Sequence, residues 1–378
     1  MYNVQLMNKI AKIGTDNFDL GKYNVGEDVT APDAILVRSA DLHETAFGAE
    51  LKCIARAGAG VNNIPVDKCA DNGIVVFNTP GANANGVKEI VIAGLFLASR
   101  DIVGGIEWAK TLEGDPDAAK KVEKGKSQFA GCEIMGKTLG VIGLGAIGRL
   151  VANAADALGM NVVGYDPYLS EAAAAQLNTG VKKAASYDEV FAVADYLTLH
   201  IPATAETKGM FNTETFAKMK DGVKLLNFSR ADLVVSSDLI AALEGGKVAK
   251  YVVDFPTVDV IGAHKNIVAI PHLGASTEES EDNCAVMAAK QTIDYLENGN
   301  VINSVNFPRV TLDRSGDVRV CVLYKDTESD DIAKVVGKVV GMASGKKGNY
   351  GYAIFDVAGE ASLDAVKAVN GVIRAFAL

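Results

Sequence analysis

The stretch Lys137-Thr138-Leu139-Gly140-Val141-Ile142-Gly143-Leu144-Gly145-Ala146-Ile147-Gly148 decides the fold. Its apolar, branched run at 139–142 reads as a strand buried on both faces. The G-x-G-x-x-G that follows opens a helix with apolar periodicity over 147–158. Gly143 and Gly145 permit a tight turn and close approach of backbone to a pyrophosphate, and Gly148 lets helix pack on strand. The phosphates then meet free N–H groups at the helix N-terminus. Asp166 ends the next strand run, near the ~20-residue spacing at which a carboxylate reaches the ribose hydroxyls. That carboxylate repels a 2′-phosphate, and Pro167, Tyr168, Leu169 and Ser170 offer no cation to neutralise one. The pattern predicts NAD rather than NADP.

Working outward, strand-like runs recur at 162–165, 196–200, 225–228, 251–253 and 267–270, with helical patterns between most of them, such as 237–243. Alternation of this kind predicts a doubly wound α/β domain with a parallel sheet. The first hundred residues hold further strand runs at 34–38, 51–57 and 73–77, then a long helix over 84–99. Residues 101–136 are charged, and Lys120, Lys121, Lys124 and Lys126 read as a solvated helical face. A helix over 276–297 follows, opened by Ser276-Thr277-Glu278-Glu279. Past Pro308 the tail reads as strand 318–323, helix 332–342, strand 350–357, helix 362–369 and strand 372–378, a small α+β domain. Only the short stretch 343–349 separates its first helix from the next strand, too little for a further full strand.

The 378 residues predict two or three domains, and 49% hydrophobic content is globular. A net charge of −10 argues against broad nucleic-acid binding, because the phosphate backbone is repelled at long range. No apolar run reaches the roughly 18 residues needed to span a bilayer, and no cleavable leader is apparent. The expectation is a cytoplasmic protein without membrane or nucleic-acid partners. Cys53, Cys69, Cys132, Cys284 and Cys321 are scattered without a Cys-x-x-Cys pair, which predicts reduced thiols and no metal site.

Three polar groups fall at the C-terminal ends of strand runs, where open parallel sheets bind ligands. Arg230 follows 225–228, His272 follows 267–270, and Asp254 ends 251–253 with Asp259 beyond it. Oxidation of a 2-hydroxy acid needs such a set. A guanidinium fork holds the carboxylate, an imidazole takes the hydroxyl proton as hydride leaves, and a carboxylate fixes the imidazole tautomer. His200 also ends a strand run and competes with His272; its expected place is the lining of the cofactor crevice.

Four segments carry a family resemblance. They are Arg56-Ala57-Gly58-Ala59-Gly60-Val61-Asn62-Asn63-Ile64, Phe77-Asn78-Thr79-Pro80-Gly81-Ala82-Asn83-Ala84-Asn85, 136–145, and Pro271-His272-Leu273-Gly274-Ala275-Ser276-Thr277. On these the chain resembles the D-2-hydroxyacid dehydrogenases, in particular their phosphoglycerate-oxidising branch. The resemblance implies a flavodoxin-like discontinuous substrate domain (1–97 and 275–306), a Rossmann-type NAD domain (98–274) and a shortened ACT-like C-terminal domain (317–378). It implies oxidation of an anionic 2-hydroxy acid, 3-phosphoglycerate, to 3-phosphohydroxypyruvate as the first step of serine synthesis, by a homodimer or homotetramer. Other members reduce hydroxypyruvate or glyoxylate, and a non-catalytic NAD-sensing protein on this scaffold is the remaining alternative.

Residue by residue, the resemblance implies Arg230 and His272 as catalytic groups. It implies cofactor contacts at Thr79, Gly143, Gly145, Ala146, Ile147, Gly148, Asp166, Ile201, Pro202, Ser229, Arg230, Asp254, His272, Gly274 and Ala275. Substrate contacts are implied at Arg56, Ala57, Gly58, Asn78, Arg230 and His272. The family's glutamate partner of the histidine is missing from Asp254-Phe255-Pro256-Thr257-Val258-Asp259. Counting from Arg230 places Asp259 at that position, and a one-residue slip places Val258 there. The tail turn Tyr324-Lys325-Asp326-Thr327-Glu328-Ser329 lacks the His, Asn and Pro-Gly of a serine-binding ACT turn, so serine inhibition through it is not expected.

Overall fold

The computed structural model describes residues 1–378, in two compact units: Met1–Asn83 with Glu278–Leu378, and Ala84–Thr277. In the first unit, β1 (Tyr2–Met7), β2 (Tyr23–Gly26), β3 (Ala34–Val37), β4 (Cys53–Arg56) and β5 (Val75–Phe77) form an all-parallel sheet in the order β2-β1-β3-β4-β5. This is the flavodoxin-like order. The strands are short, and the apolar β3 and β5 are buried along their whole length.

The second unit holds seven parallel strands: β6 (Thr138–Ile142), β7 (Asn161–Tyr165), β8 (Val181–Lys183), β9 (Tyr196–Leu199), β10 (Val223–Asn227), β11 (Val248–Val253) and β12 (Ile267–Ala269). Their order, β12-β11-β10-β9-β6-β7-β8, is the Rossmann arrangement extended by one strand, as the sequence predicts. The order reverses between β6 and β9, so the loops after these two strands diverge to opposite faces and leave a crevice.

The sequence boundary at residue 97 is not where the structure divides. The Ala84–Ser99 helix buries Val87, Val91, Leu95 and Ala98 in the core of the second unit, with Leu139, Leu226 and Val252. Each of the valine and leucine side chains is worth ~1.5–3 kcal/mol on burial. Gly94 lets the helix close on β10: a Cβ there would stand 2.8 Å from the ring of Phe228.

The tail corrects the sequence reading. Residues 332–342 are not one helix. A short helix (Ser329–Ala333) is followed by a full strand, so β13 (Val318–Lys325), β14 (Lys338–Lys347), β15 (Tyr350–Ala358) and β16 (Val372–Ala377) make an antiparallel sheet ordered β14-β15-β13-β16. With the Leu363–Lys367 helix this is a complete βαββαβ unit of ferredoxin-like type, not a shortened one.

The tail is also not separate from the first unit's core. On β13 and β15, Cys321, Leu323, Tyr352 and Ile354 pack with Val4, Phe77 and Tyr295, while Val320, Val322, Phe355 and Val357 face the two short helices. The period of two fits strands covered on both faces. Arg319 is buried at this junction: its Nε and Nη2 donate to Asp356 at 2.7 and 2.9 Å, and its Nη1 donates to the carbonyl of Asn298. Asn298 ends the Glu278–Asn298 helix, where a cation meets the negative end of the helix dipole.

Candidate active site

The cofactor loop follows β6. Gly143 takes φ +90, and a Cβ on it would stand 2.5 Å from the His200 carbonyl oxygen. A Cβ on Gly148 would collide with the Gly143 carbonyl, whereas one on Gly145 would meet nothing within 4 Å. Two glycines are therefore required by the protein's own packing. The third faces open space at the start of the Ala146–Ala157 helix, where backbone N–H groups await an anion. Asp166 is tied to this loop: its Oδ2 accepts from Leu144 N at 2.9 Å and its Oδ1 from Tyr168 N at 2.9 Å. Both bonds fix the carboxylate without neutralising its charge. The residues present fit a dinucleotide with unmodified ribose hydroxyls.

The end of β9 supplies the other wall of the switch point. His200 is held by its Nε2 2.9 Å from Thr198 Oγ1, and burial pushes its pKa down to about 3, so it is neutral at physiological pH. Its place beneath Gly143 and Gly148 agrees with a lining role. Ile201 packs into the core beside β9, and the Pro202 carbonyl accepts from Thr207.

Arg230 follows β10 on a turn organised by Asn227. The buried Asn227 Nδ2 donates to the Arg230 carbonyl at 2.9 Å, and its Oδ1 accepts from Ser229 N at 3.1 Å. Ser229 Oγ donates to the Leu199 carbonyl at 2.8 Å, tying the turn to β9. Asp254, after β11, is 1% exposed, and burial raises its carboxyl pKa to about 7 against the opposing pull of its own backbone amide and Arg230. Gly274 is packed against it: a Cβ there would sit 3.5 Å from Asp254 Oδ2 and 3.2 Å from Val87.

His272, beyond β12, has its ring centroid 4.0 Å from that of Phe255, and the Arg230 guanidinium lies 5.2 Å above the same Phe255 ring. The structure thus brings Arg230, Asp254 and His272 together at the C-terminal ends of three adjacent strands. Asp259 lies in the exposed connection to β12, and the hydroxyls of Ser236 and Thr257 hold its carboxyl below the usual range. Asn227 and Phe255 were not singled out from sequence. An Asn at the strand end before Ser229-Arg230, and an aromatic directly after Asp254, were the available signals.

The first unit assembles its own cluster at the ends of β4 and β5. Arg56 Nε donates to the Arg38 carbonyl at 3.1 Å, and its guanidinium lies across Gly58, where a Cβ would collide with it. Thr79 N donates to the Gly58 carbonyl at 3.1 Å, and Asn78 Nδ2 to the Ala59 carbonyl at 2.7 Å. Arg38 Nη2 pairs with Glu281 Oε1 at 2.5 Å. Arg56, Ala57, Gly58, Asn78 and Thr79 therefore share one loop system carrying two guanidinium groups.

Residues 99–274 match the family described as D-isomer specific 2-hydroxyacid dehydrogenase, NAD binding domain. That match covers the unit that carries the G-x-G-x-x-G loop, Asp166, Arg230, Asp254 and His272. It is 34% identical over 353 residues to D-3-phosphoglycerate dehydrogenase of Synechocystis, an alignment covering 90% of this chain and 59% of that one. It is 33% identical to the Bacillus subtilis D-3-phosphoglycerate dehydrogenase, with 84% and 62% covered. The chain thus spans about three-fifths of the length of these curated relatives. Among solved structures, the NAD+-bound 3-phosphoglycerate dehydrogenase of Entamoeba histolytica aligns with a TM-score of 0.63 at 26% identity, covering 81% of this chain and 98% of that one. The match of residues 99–274 to an NAD-binding domain agrees with the G-x-G-x-x-G loop and Asp166 as a dinucleotide site. No helix is long and apolar enough to cross a membrane.

Proposed function

We propose that this protein oxidises D-3-phosphoglycerate to 3-phosphohydroxypyruvate with NAD. The observation that carries the reading is the convergence of Arg230 and His272 on Phe255 in the NAD-binding unit. A fork of fixed positive charge and a titratable imidazole are what a 2-hydroxy acid requires. The relatives named D-3-phosphoglycerate dehydrogenase support this substrate over other 2-hydroxy acids.

In this reading Arg230 holds the substrate carboxylate, and His272 accepts the C2 hydroxyl proton. Asp259, ionised throughout the working range, stabilises the imidazolium. Arg56, Ala57, Gly58 and Asn78 hold the phosphate end through a guanidinium and backbone N–H groups. Gly143, Gly145, Ala146, Ile147 and Gly148 seat the pyrophosphate, with Asp166 on the adenosine ribose. Thr79, Ile201, Pro202, Ser229, Asp254, Gly274 and Ala275 complete the cofactor contacts, and Asp254, its pKa raised by burial to about 7, can donate as well as accept a hydrogen bond. Bound NAD supplies the hydride acceptor. The working state is a homo-oligomer.

The test is NADH formation by purified protein on a panel of D-3-phosphoglycerate, D-glycerate, glycolate and D-lactate. Preference for the phosphorylated acid supports the reading. Turnover confined to the others reassigns the substrate, and turnover of none removes the enzymatic reading.

A further inference from the structure

Away from these residues, in the NAD-binding unit, a thiol sits in a hydrogen-bonded cluster that the proposed reaction does not use. Cys132 Sγ lies 3.4 Å from Lys224 Nζ and 3.3 Å from Tyr196 OH. Lys224 also stacks over the Tyr196 ring at 4.5 Å. Ser99 Oγ donates to the Leu95 carbonyl at 2.6 Å and so must accept, at 2.7 Å, from Tyr196 OH. Tyr196 has then spent its one hydrogen, and its oxygen can only accept from the thiol. Once the thiol has lost its proton, Lys224 and a reoriented Tyr196 both offer donors to the sulfur. The cluster opens on a cavity of about 510 Å³ lined by Phe96, Ile102, Cys132, Ile134, Met135 and Leu158.

We propose that Cys132 is a modification site, a Lys224-activated thiol that a small hydroperoxide oxidises to the sulfenic acid. The thiolate attacks the distal peroxide oxygen, the S–O bond forms and the O–O bond breaks. The leaving alkoxide or hydroxide takes a proton from the Lys224 ammonium, which regains one from solvent. Sulfur loses two electrons and the peroxide gains them.

Four further observations make the site selective. Burial raises the pKa of Cys69 and Cys321 to about 12 and moves Cys53 and Cys284 upward as well. At Cys132 burial also raises the pKa, but hydrogen bonds from Tyr196 and Lys224 and the charges of Lys224 and Lys137 bring it below the ordinary thiol value. The other charged groups nearby are Arg100 and Glu133, which line the cavity, and Asp195, which is paired with Lys220. Beside these charged groups the cavity wall is mainly apolar, through Phe96, Ile102, Ile134, Met135 and Leu158, and suits an alkyl hydroperoxide.

The experiment treats the native, reduced full chain with tert-butyl hydroperoxide, traps sulfenate with a dione probe and maps adducts by peptide mass spectrometry. The adduct is expected at Cys132 ahead of the other four cysteines. Iodoacetamide alkylation of Cys132 followed against pH should show a midpoint below that of a free thiol. Lys224→Met should raise the midpoint and slow alkylation at pH 7 by roughly tenfold, with Lys224→Arg restoring much of the rate. A Cys132 that reacts no faster than the buried cysteines overturns the proposal. So does a midpoint that Lys224→Met leaves in place; unfolding of that variant would be visible as simultaneous labelling of all five thiols, and Lys224→Arg then decides.

Discussion

The ring of Phe255 lies 4.0 Å, centroid to centroid, from the imidazole of His272. The same ring carries the Arg230 guanidinium 5.2 Å from its centre. One aromatic side chain thus touches both groups assigned to the substrate, the cation through its face and the imidazole through a tilted ring contact. Phe255→Leu keeps an apolar body and removes the π system. The expected loss is ~1–2 kcal/mol of transition-state stabilisation, roughly 5–30-fold in kcat/KM, with the apo Tm little changed. Steady-state kinetics with a melting curve checks it; unchanged kinetics would show that the ring only fills space.

Asp254 gives the apo protein a pH signature. Burial raises its folded-state carboxyl pKa to about 7, while the unfolded chain titrates near 4. A raised acid favours folding fully below the unfolded value, and that contribution is lost as pH rises from about 4 through about 7. Asp254→Asn should therefore raise the apo Tm at pH 8, by at most about 4 kcal/mol equivalent, and show no such gain at pH 4. Melting curves of both proteins across this range test the sign.

The Arg319–Asp356 pair should behave in the opposite sense. Burial pushes the Asp356 carboxyl up, but the hydrogen bonds from Arg319 and Ser315 bring it below the usual value. Its contribution is present above the unfolded pKa and lost as pH falls below about 4. Arg319→Met leaves a buried carboxylate without its partner, and a cost of ~3–5 kcal/mol in urea unfolding at pH 7 is expected. The double variant Arg319→Met with Asp356→Leu should recover much of it.

Serine should not inhibit through the tail. Lys325, in the turn where an effector would bind, is 2.9 Å from Asp71, and Tyr350 OH is 2.6 Å from the same carboxylate. Arg374 donates to the carbonyls of Leu51 and Ala49. These contacts engage the tail in packing, so millimolar L-serine should leave the initial rate unchanged. Removing residues after Asp317 would expose Tyr295, Phe77 and Val4 and lower the Tm, where loss of a regulatory module would relieve inhibition.

The central sheet was legible because its strands are buried on both faces and read as continuous apolar runs, as at Leu225, Leu226 and Val252, Val253. β14 was not. A register shift between Val339 and Gly341 breaks its alternation and turns Val340 outward, 48% exposed, so Ile332, Val335, Val336, Val339 and Met342 mimic a helical period. β1 was missed because it interleaves polar Asn3 and Gln5 with only one fully buried position, Val4. Arg230 and His272 stand out in the sequence because strand ends mark ligand positions in parallel sheets. Phe255 does not, since nothing in a sequence says that two later and earlier strand-end residues will meet over one ring.

The most direct test of the account is NADH formation from D-3-phosphoglycerate by the wild type and by His272→Gln, with the NADH dissociation constant measured for both. Expected are turnover by the wild type, a loss of ~10²–10⁴-fold in kcat for the variant, and a far smaller change in NADH affinity. Equal rates in the two proteins, or no NADH from the wild type on any 2-hydroxy acid, would contradict it.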